Sequence, residues 1–217
     1  MGHETENTLA SVQKAMDFGV DMIEIDVFKI KSGELVVFHD ETLDRLSDSK
    51  GNIEELNLEE LKAVRLEGGH QIPELSQVMD LIDDKVALNI ELKGAGTAVP
   101  VNGLVEQYVR EKGWTPGNII ISSFKWDELR AIRAENGIIQ IAVLIGEDPL
   151  EAIAVAKELG AVAINPHFST LNEGNVAQIH GEGLKIFPWT VNEPADIQRM
   201  KELGVDGIIT NFPERLH

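Results

Sequence analysis

Cysteine is absent from the 217 residues, which excludes disulfides, a thiolate nucleophile and cysteine-ligated zinc. No run of about 18 or more apolar residues is present to span a bilayer. The opening Met1-Gly2-His3-Glu4-Thr5-Glu6-Asn7 lacks the basic and then apolar order of a signal peptide. A chain without a membrane span, in the reducing cytoplasm, is the expectation. Basic residues are few: 19 Lys+Arg stand against 37 Asp+Glu, a formal charge of −18. Such a field repels a nucleic-acid backbone, so nucleic acid is not an expected partner. It also repels a small anion, whose site would need a bound cation or a few local Lys/Arg. The sequence carries no signal for oligomeric state.

What the chain does have is apolar, β-branched runs separated by helical patterns. Seven main strands are expected: Met22 to Phe28, Ala87 to Leu92, Ile119 to Phe124, Gln140 to Ile145, Ala161 to Asn165, Lys185 to Val191 and Gly207 to Asn211. Helices of amphipathic period end at glycines, Thr8 to Phe18 before Gly19, Leu150 to Leu159 before Gly160 and Pro194 to Leu203 before Gly204. Two more helical patterns, Leu56 to Val64 and Glu74 to Ile82, and an extra strand at Glu34 to Phe38, form an excursion after the first strand. Alternating strands and helices imply a parallel sheet with right-handed crossovers. No glycine-rich phosphate fingerprint of a doubly wound sheet follows the first strand. The expected fold class is therefore α/β, a TIM (β/α) barrel in one domain over residues 1–217. Because the order opens on a helix, its first strand is expected to be missing from the chain as given.

In Ile23-Glu24-Ile25-Asp26-Val27 the two-residue strand period puts Glu24 and Asp26 on one face. Alone, such a pair reads as a solvated strand end or as half of a cation site. Asn89-Ile90-Glu91-Leu92-Lys93 adds a carboxylate near the C-terminal end of the next main strand, where barrel active sites collect. Glu24, Asp26 and Glu91 together are hard oxygen donors suited to one divalent cation, Mg²⁺ or Ca²⁺. Lys93 shares Glu91's face and reads either as a phosphate ligand or as an ion-pair partner of the carboxylates. His39 closes the apolar Glu34-Leu35-Val36-Val37-Phe38 run; it reads as a packed ring or as a general acid or base beside a phosphate. Asp40 reads as a turn cap in preference to a group that orients the ring.

The series Glu6-Asn7-Thr8, Gly19-x-Asp21-x-Ile23-Glu24-x-Asp26, Val36-Val37-x-His39-Asp40-x-x-Leu43-x-Arg45, Ile72-Pro73-x-Leu75, Asn89-Ile90-Glu91-Leu92-Lys93 and Trp189-Thr190-Val191-Asn192 resembles, in order and over nearly the whole chain, the glycerophosphodiester phosphodiesterases. The resemblance implies a TIM barrel, a divalent metal on Glu24, Asp26 and Glu91, and His39 as one of two catalytic histidines. It implies a small phosphodiester as substrate, split to an alcohol and glycerol phosphate. The family's His-Arg-Gly stretch has no counterpart here, and His3 does not take its place. The expectation that follows is a chain beginning after that stretch and hydrolysing poorly. Rival readings are a metal- and phosphate-binding barrel without turnover, and a related Mg²⁺-dependent phospholipid lyase. Trp189 resembles the family's pocket-wall aromatic, with core packing as the alternative. Ser122 and Ser123 read as pocket hydroxyls or a satisfied strand end, and Asn165 and His167, which end the sixth strand on one face, as substrate contacts or, for His167 in preference, as a polar strand-end residue.

Overall fold

The computed structural model describes residues 2–216; the expectation about Met1 lies outside them. Strand periodicity organises the architecture. On β1 (Met22–Lys29), Ile23, Ile25 and Val27 are buried on one side. With Leu88, Ile90 and Leu92 of β3 (Ala87–Leu92) they join a large apolar core that also takes in residues of the surrounding helices. The same core holds Ile119 and Ile121 of β4 (Ile119–Ser123), Ile141 and Val143 of β5 (Gln140–Ile145), Ile164 of β6 (Ala163–Pro166) and Ile186 of β7 (Lys185–Ile186). The opposite faces of these strands carry a separate small cluster around Ile120, Ala142 and Ala163. Helices outside and small side chains inside, with parallel strands in sequence order, are the TIM-barrel arrangement.

The sheet order is β2-β1-β3-β4-β5-β6-β7, with every pair parallel except β2 (Leu35–Val37), which runs antiparallel along the end of β1. The strands alternate with α1 (Leu9–Asp17), α2 (Leu58–Ala63), α3 (Leu75–Ile82), α4 (Ala98–Gln107), α5 (Trp126–Glu135), α6 (Ala152–Leu159), α7 (Glu173–Gly181) and α8 (Pro194–Leu203). Thr8 caps α1, accepting from Ser11 N at 3.1 Å while Ser11 Oγ accepts from Thr8 N at 3.2 Å. Gly160 and Gly204 end α6 and α8 in the left-handed region, φ 56° and 74°, which costs a residue without Cβ nothing. The excursion after β1 has a core of its own, with Phe28, Val36, Phe38, Leu43, Ile53 and Leu61 all at most 1% exposed. Each such side chain, fully buried, contributes roughly 1.5–3 kcal/mol. This anchors the backbone that ends in His39.

The expected strand at Gly207 to Asn211 is not a regular strand, and the expected Lys185 to Val191 strand shortens to Lys185–Ile186. Two local features interrupt the pairing: Ile186 N donates to the Asp206 carboxylate at 2.9 Å instead of to a backbone carbonyl, and Pro188 has no N–H. Phe187 N and Trp189 N still donate to Ile164 and Pro166 on the β6 side, at 3.2 and 3.1 Å. On the other side Asp206 N, Ile209 N and Val191 N form bonds of 3.1, 3.0 and 2.9 Å between the two segments, but Pro188 has no N–H to complete a ladder. Residues 206–211 thus lie beside β7 without a full strand pairing. Among the described residues no ladder joins them to β1. Gly2 packs against the Asn211 carbonyl and the Phe212 ring with no room for a Cβ.

Candidate active site

Parallel register aligns Asp26 with Glu91 and Glu24 with Asn89. Their alternation with Ile25 and Ile90, which face the helices, turns the polar side chains into the barrel. The carboxylates of Glu24, Asp26 and Glu91 present oxygens all within 4.8 Å of one another. Asp26 and Glu91 are buried, 4% and 8% exposed, while Glu24 keeps part of its surface accessible. Lys93, just past β3, places Nζ 3.1 Å from Glu91 Oε1 and 3.6 Å from Asp26 Oδ1.

The charges do not balance. Burial, then the neighbouring Asp26 and Glu91, push the Glu24 carboxyl well above its ordinary range. Burial and then Asp26 push Glu91 up to about 7, against the pull of Lys93. Burial works against the Lys93 ammonium, but Asp26 and Glu91 outweigh it and raise its pKa. When all three carboxylates are ionised, the one ammonium leaves two negative charges, the complement of a divalent cation, whose presence would favour the ionised forms that burial and mutual repulsion disfavour. Hard oxygen donors and this uncompensated charge fit Mg²⁺ or Ca²⁺.

A second group adjoins the first. Glu6, His39 and Asp40 also lie within 4.8 Å of one another. His39 is among the charges lowering the pKa of Glu91, and Glu6 among those raising that of Glu24. His39 Nδ1 stands 2.6 Å from Asp40 Oδ1. Arg45 grips the same carboxylate with Nε at 2.6 Å and Nη2 at 2.9 Å, and Nη2 also donates to Glu6. The preferred reading of Asp40 as a turn cap is therefore corrected: its oxygens are taken by the His39 ring and the Arg45 fork. Arg45 holds the Asp40 carboxyl down to about 2, and His39 assists. Thr8 is the helix cap, and Asn7 beside it turns away from the helix: its amide donates to Asp26 Oδ2 at 2.8 Å and its carbonyl oxygen accepts from Asp26 N at 3.2 Å. Glu6, Asn7 and Arg45 all stand in the motifs quoted above. The Asn7–Asp26 and Glu6–Arg45 contacts were missed because they join residues 19 and 39 positions apart.

At other strand ends three aromatic rings pack together. Trp189 meets Phe124 edge-on at 5.3 Å and His167 at 5.0 Å, and its Nε1 donates to Asn165 O at 2.9 Å. Phe124 is 43% exposed. It follows Ser123, whose hydroxyl donates to Leu92 O at 2.7 Å and accepts from Lys125 N at 2.9 Å, a satisfied strand end. Ser122 and Asn165 are buried, and their polar side-chain atoms have no protein partner. His167 caps its own turn, with Nδ1 2.7 Å from Ser169 Oγ.

A TIM barrel whose mouth combines a carboxylate cluster, a lysine and a carboxylate-oriented imidazole is equipped for cation-assisted work on an anion. Residues 2–215 match the glycerophosphoryl diester phosphodiesterase family, and the chain belongs to it. A glycerophosphodiester phosphodiesterase of Caldanaerobacter subterraneus subsp. tengcongensis is 36% identical over 97% of this chain and 90% of its own length. One from Bacillus altitudinis is 31% identical over 99% and 92%. Among solved structures, an Oleispira antarctica phosphodiesterase in complex with the product sn-glycerol-3-phosphate superposes with a TM-score of 0.90, at 26% identity, over 99% of this chain and 91% of that one. The family is divalent-metal dependent, and the acidic cluster offers donors of the kind that dependence requires. No helix among the described residues is long and apolar enough to cross a membrane.

Proposed function

We propose that this chain is a single-domain barrel hydrolase that splits glycerophosphodiesters to an alcohol and glycerol phosphate. Glu24, Asp26 and Glu91 hold one divalent cation, Mg²⁺ or Ca²⁺. The observation that carries the reading is the convergence of these three carboxylates with Lys93 in the mouth of a barrel of this family. The cation supplies neutralisation of phosphate charge and Lewis acidity. Lys93, steadied by Glu91 and Asp26, presents its ammonium to a phosphate oxygen. Asp40 accepts the Nδ1 proton of His39, so Nε2 carries the free lone pair. Through it the ring takes a proton from the attacking water as that oxygen bonds to phosphorus and the phosphorus–oxygen bond to the alcohol breaks; the proton then passes from the ring to the departing alkoxide, which leaves as the alcohol. Trp189, with Phe124, lines the side where the carbon skeleton of the substrate lies. The cation and Lys93 together answer the repulsion that a chain of charge −18 exerts on an anion.

Turnover of glycerophosphocholine tests the role of His39. His39→Ala is expected to lower kcat by roughly 10²-fold or more, the lower range for a positioned acid or base, with divalent-cation binding retained. Near-normal turnover in that variant assigns the ring to packing.

A further inference from the structure

Two functional groups of the mouth, the cation-facing Asp26 and the imidazole of His39, lie on and just past paired strands, Phe38 N donating to Asp26 O at 3.0 Å, so their backbones are fixed side by side and what is left to set is the orientation of each side chain. Both trace back to one dipeptide. Asn7 holds Asp26 twice, through Oδ2 at 2.8 Å and through the backbone N–H at 3.2 Å. Its neighbour Glu6 accepts from Arg45, whose guanidinium forks onto Asp40 at 2.6 and 2.9 Å, and Asp40 in turn meets His39 Nδ1 at 2.6 Å. The Glu6 side chain is 11% exposed. Asn7 adopts φ 56°, a left-handed conformation that asparagine tolerates better than most residues. That turn sends the two side chains to different partners just before the Thr8 cap fixes the start of α1.

We propose that Glu6 and Asn7 are paired positioning residues: Asn7 sets the Asp26 carboxylate for the cation, and Glu6, through Arg45 and Asp40, sets the His39 ring. The inference rests on the reading of Asp26 and His39 given above. Neither residue touches substrate in this account; each acts through the group it holds. Partners of this kind are worth about 10–100-fold in metal affinity or activity. The two arms should separate. Asn7 speaks to the cation, and Glu6 speaks to the proton transfer.

The experiment is Mg²⁺ titration by calorimetry on the wild-type protein and on Asn7→Gly and Glu6→Gln, followed by kcat and KM for glycerophosphocholine at saturating Mg²⁺. Glycine takes the left-handed turn without strain, so Asn7→Gly removes the amide while sparing the backbone. The expected result is a Kd for Mg²⁺ weakened about 10–100-fold in Asn7→Gly. Glu6→Gln should bind Mg²⁺ within about 2-fold of wild type but lose roughly 10-fold or more in kcat with KM little changed. Arg45→Lys keeps the charge between the two carboxylates without the fork, and is expected to fall between wild type and Glu6→Gln in kcat. It carries the second arm should Glu6→Gln fail to fold. Wild-type Mg²⁺ affinity in Asn7→Gly, or wild-type kcat in Glu6→Gln or Arg45→Lys, overturns the pairing while leaving the cation site standing. A wild-type protein that binds neither Mg²⁺ nor Ca²⁺ overturns the reading of the site and the inference with it.

Discussion

Asp40 shows how much one residue can be asked to do. It accepts from the Arg45 fork and from His39 Nδ1, and the Arg45 hydrogen bonds hold its carboxyl at about 2, below its ordinary 3.8. A carboxyl depressed in the folded state stabilises the fold above the unfolded pKa, and that contribution is lost as pH falls through the folded value. The gap in Tm between the wild-type protein and Asp40→Asn should accordingly be constant above about pH 5 and close between about pH 4 and pH 2. A gap that stays open through that window contradicts the pairing. Its size should be modest, because Arg45 is 42% exposed and water screens the pair. Asp40 and Asn7 were both legible as residues of interest, but not in their roles. A short polar side chain beside a turn or helix start has the same local signature whether it caps the backbone or reaches across the fold. Only the placement of Asp26 and Arg45 distinguishes the two.

At the scale of elements, the strands of the acidic floor were readable because their apolar and polar residues alternate strictly. Ile23, Ile25 and Val27 against Glu24 and Asp26, and Ile90 against Asn89 and Glu91, leave one choice of inner face. The segment at residues 207–211 was less readable. Its composition is that of a strand, yet pairing depends on a neighbour, and Pro188 withholds the donor. The β3–α4 loop after Lys93 depends on an element further along the chain. Glu128 of α5 accepts from Gly96 N at 2.6 Å and Ala98 N at 2.9 Å, covering the open N–H groups where α4 begins. Glu128→Ala should cost about 1–2 kcal/mol of stability, the upper range for loss of a helix cap. It should also raise KM, because the loop carrying Lys93 loosens. Denaturant unfolding and steady-state kinetics check both, and an unchanged KM would detach Lys93 from that cap.

The whole molecule sets an acidic chain of charge −18 against the task of binding an anionic ester. The barrel resolves this by gathering carboxylates at one side of its mouth, where a cation is the natural complement, and by keeping Lys93 among them. Trp189 and Phe124 are in edge-on contact although they follow β7 and β4, three positions apart in the sheet order. Trp189 drew notice through its motif; the exposed Phe124 did not, because the ring it meets follows a strand three positions away in the sheet. The most direct test of the cation-dependent hydrolysis is glycerol-phosphate release from glycerophosphocholine by protein stripped with chelator and then titrated with Mg²⁺ or Ca²⁺, wild type beside Glu91→Gln. The account predicts no release from the stripped protein, saturable recovery in the wild type, and recovery in Glu91→Gln that is absent or needs far more cation. Release that survives chelation, or equal recovery in the two proteins, would contradict it.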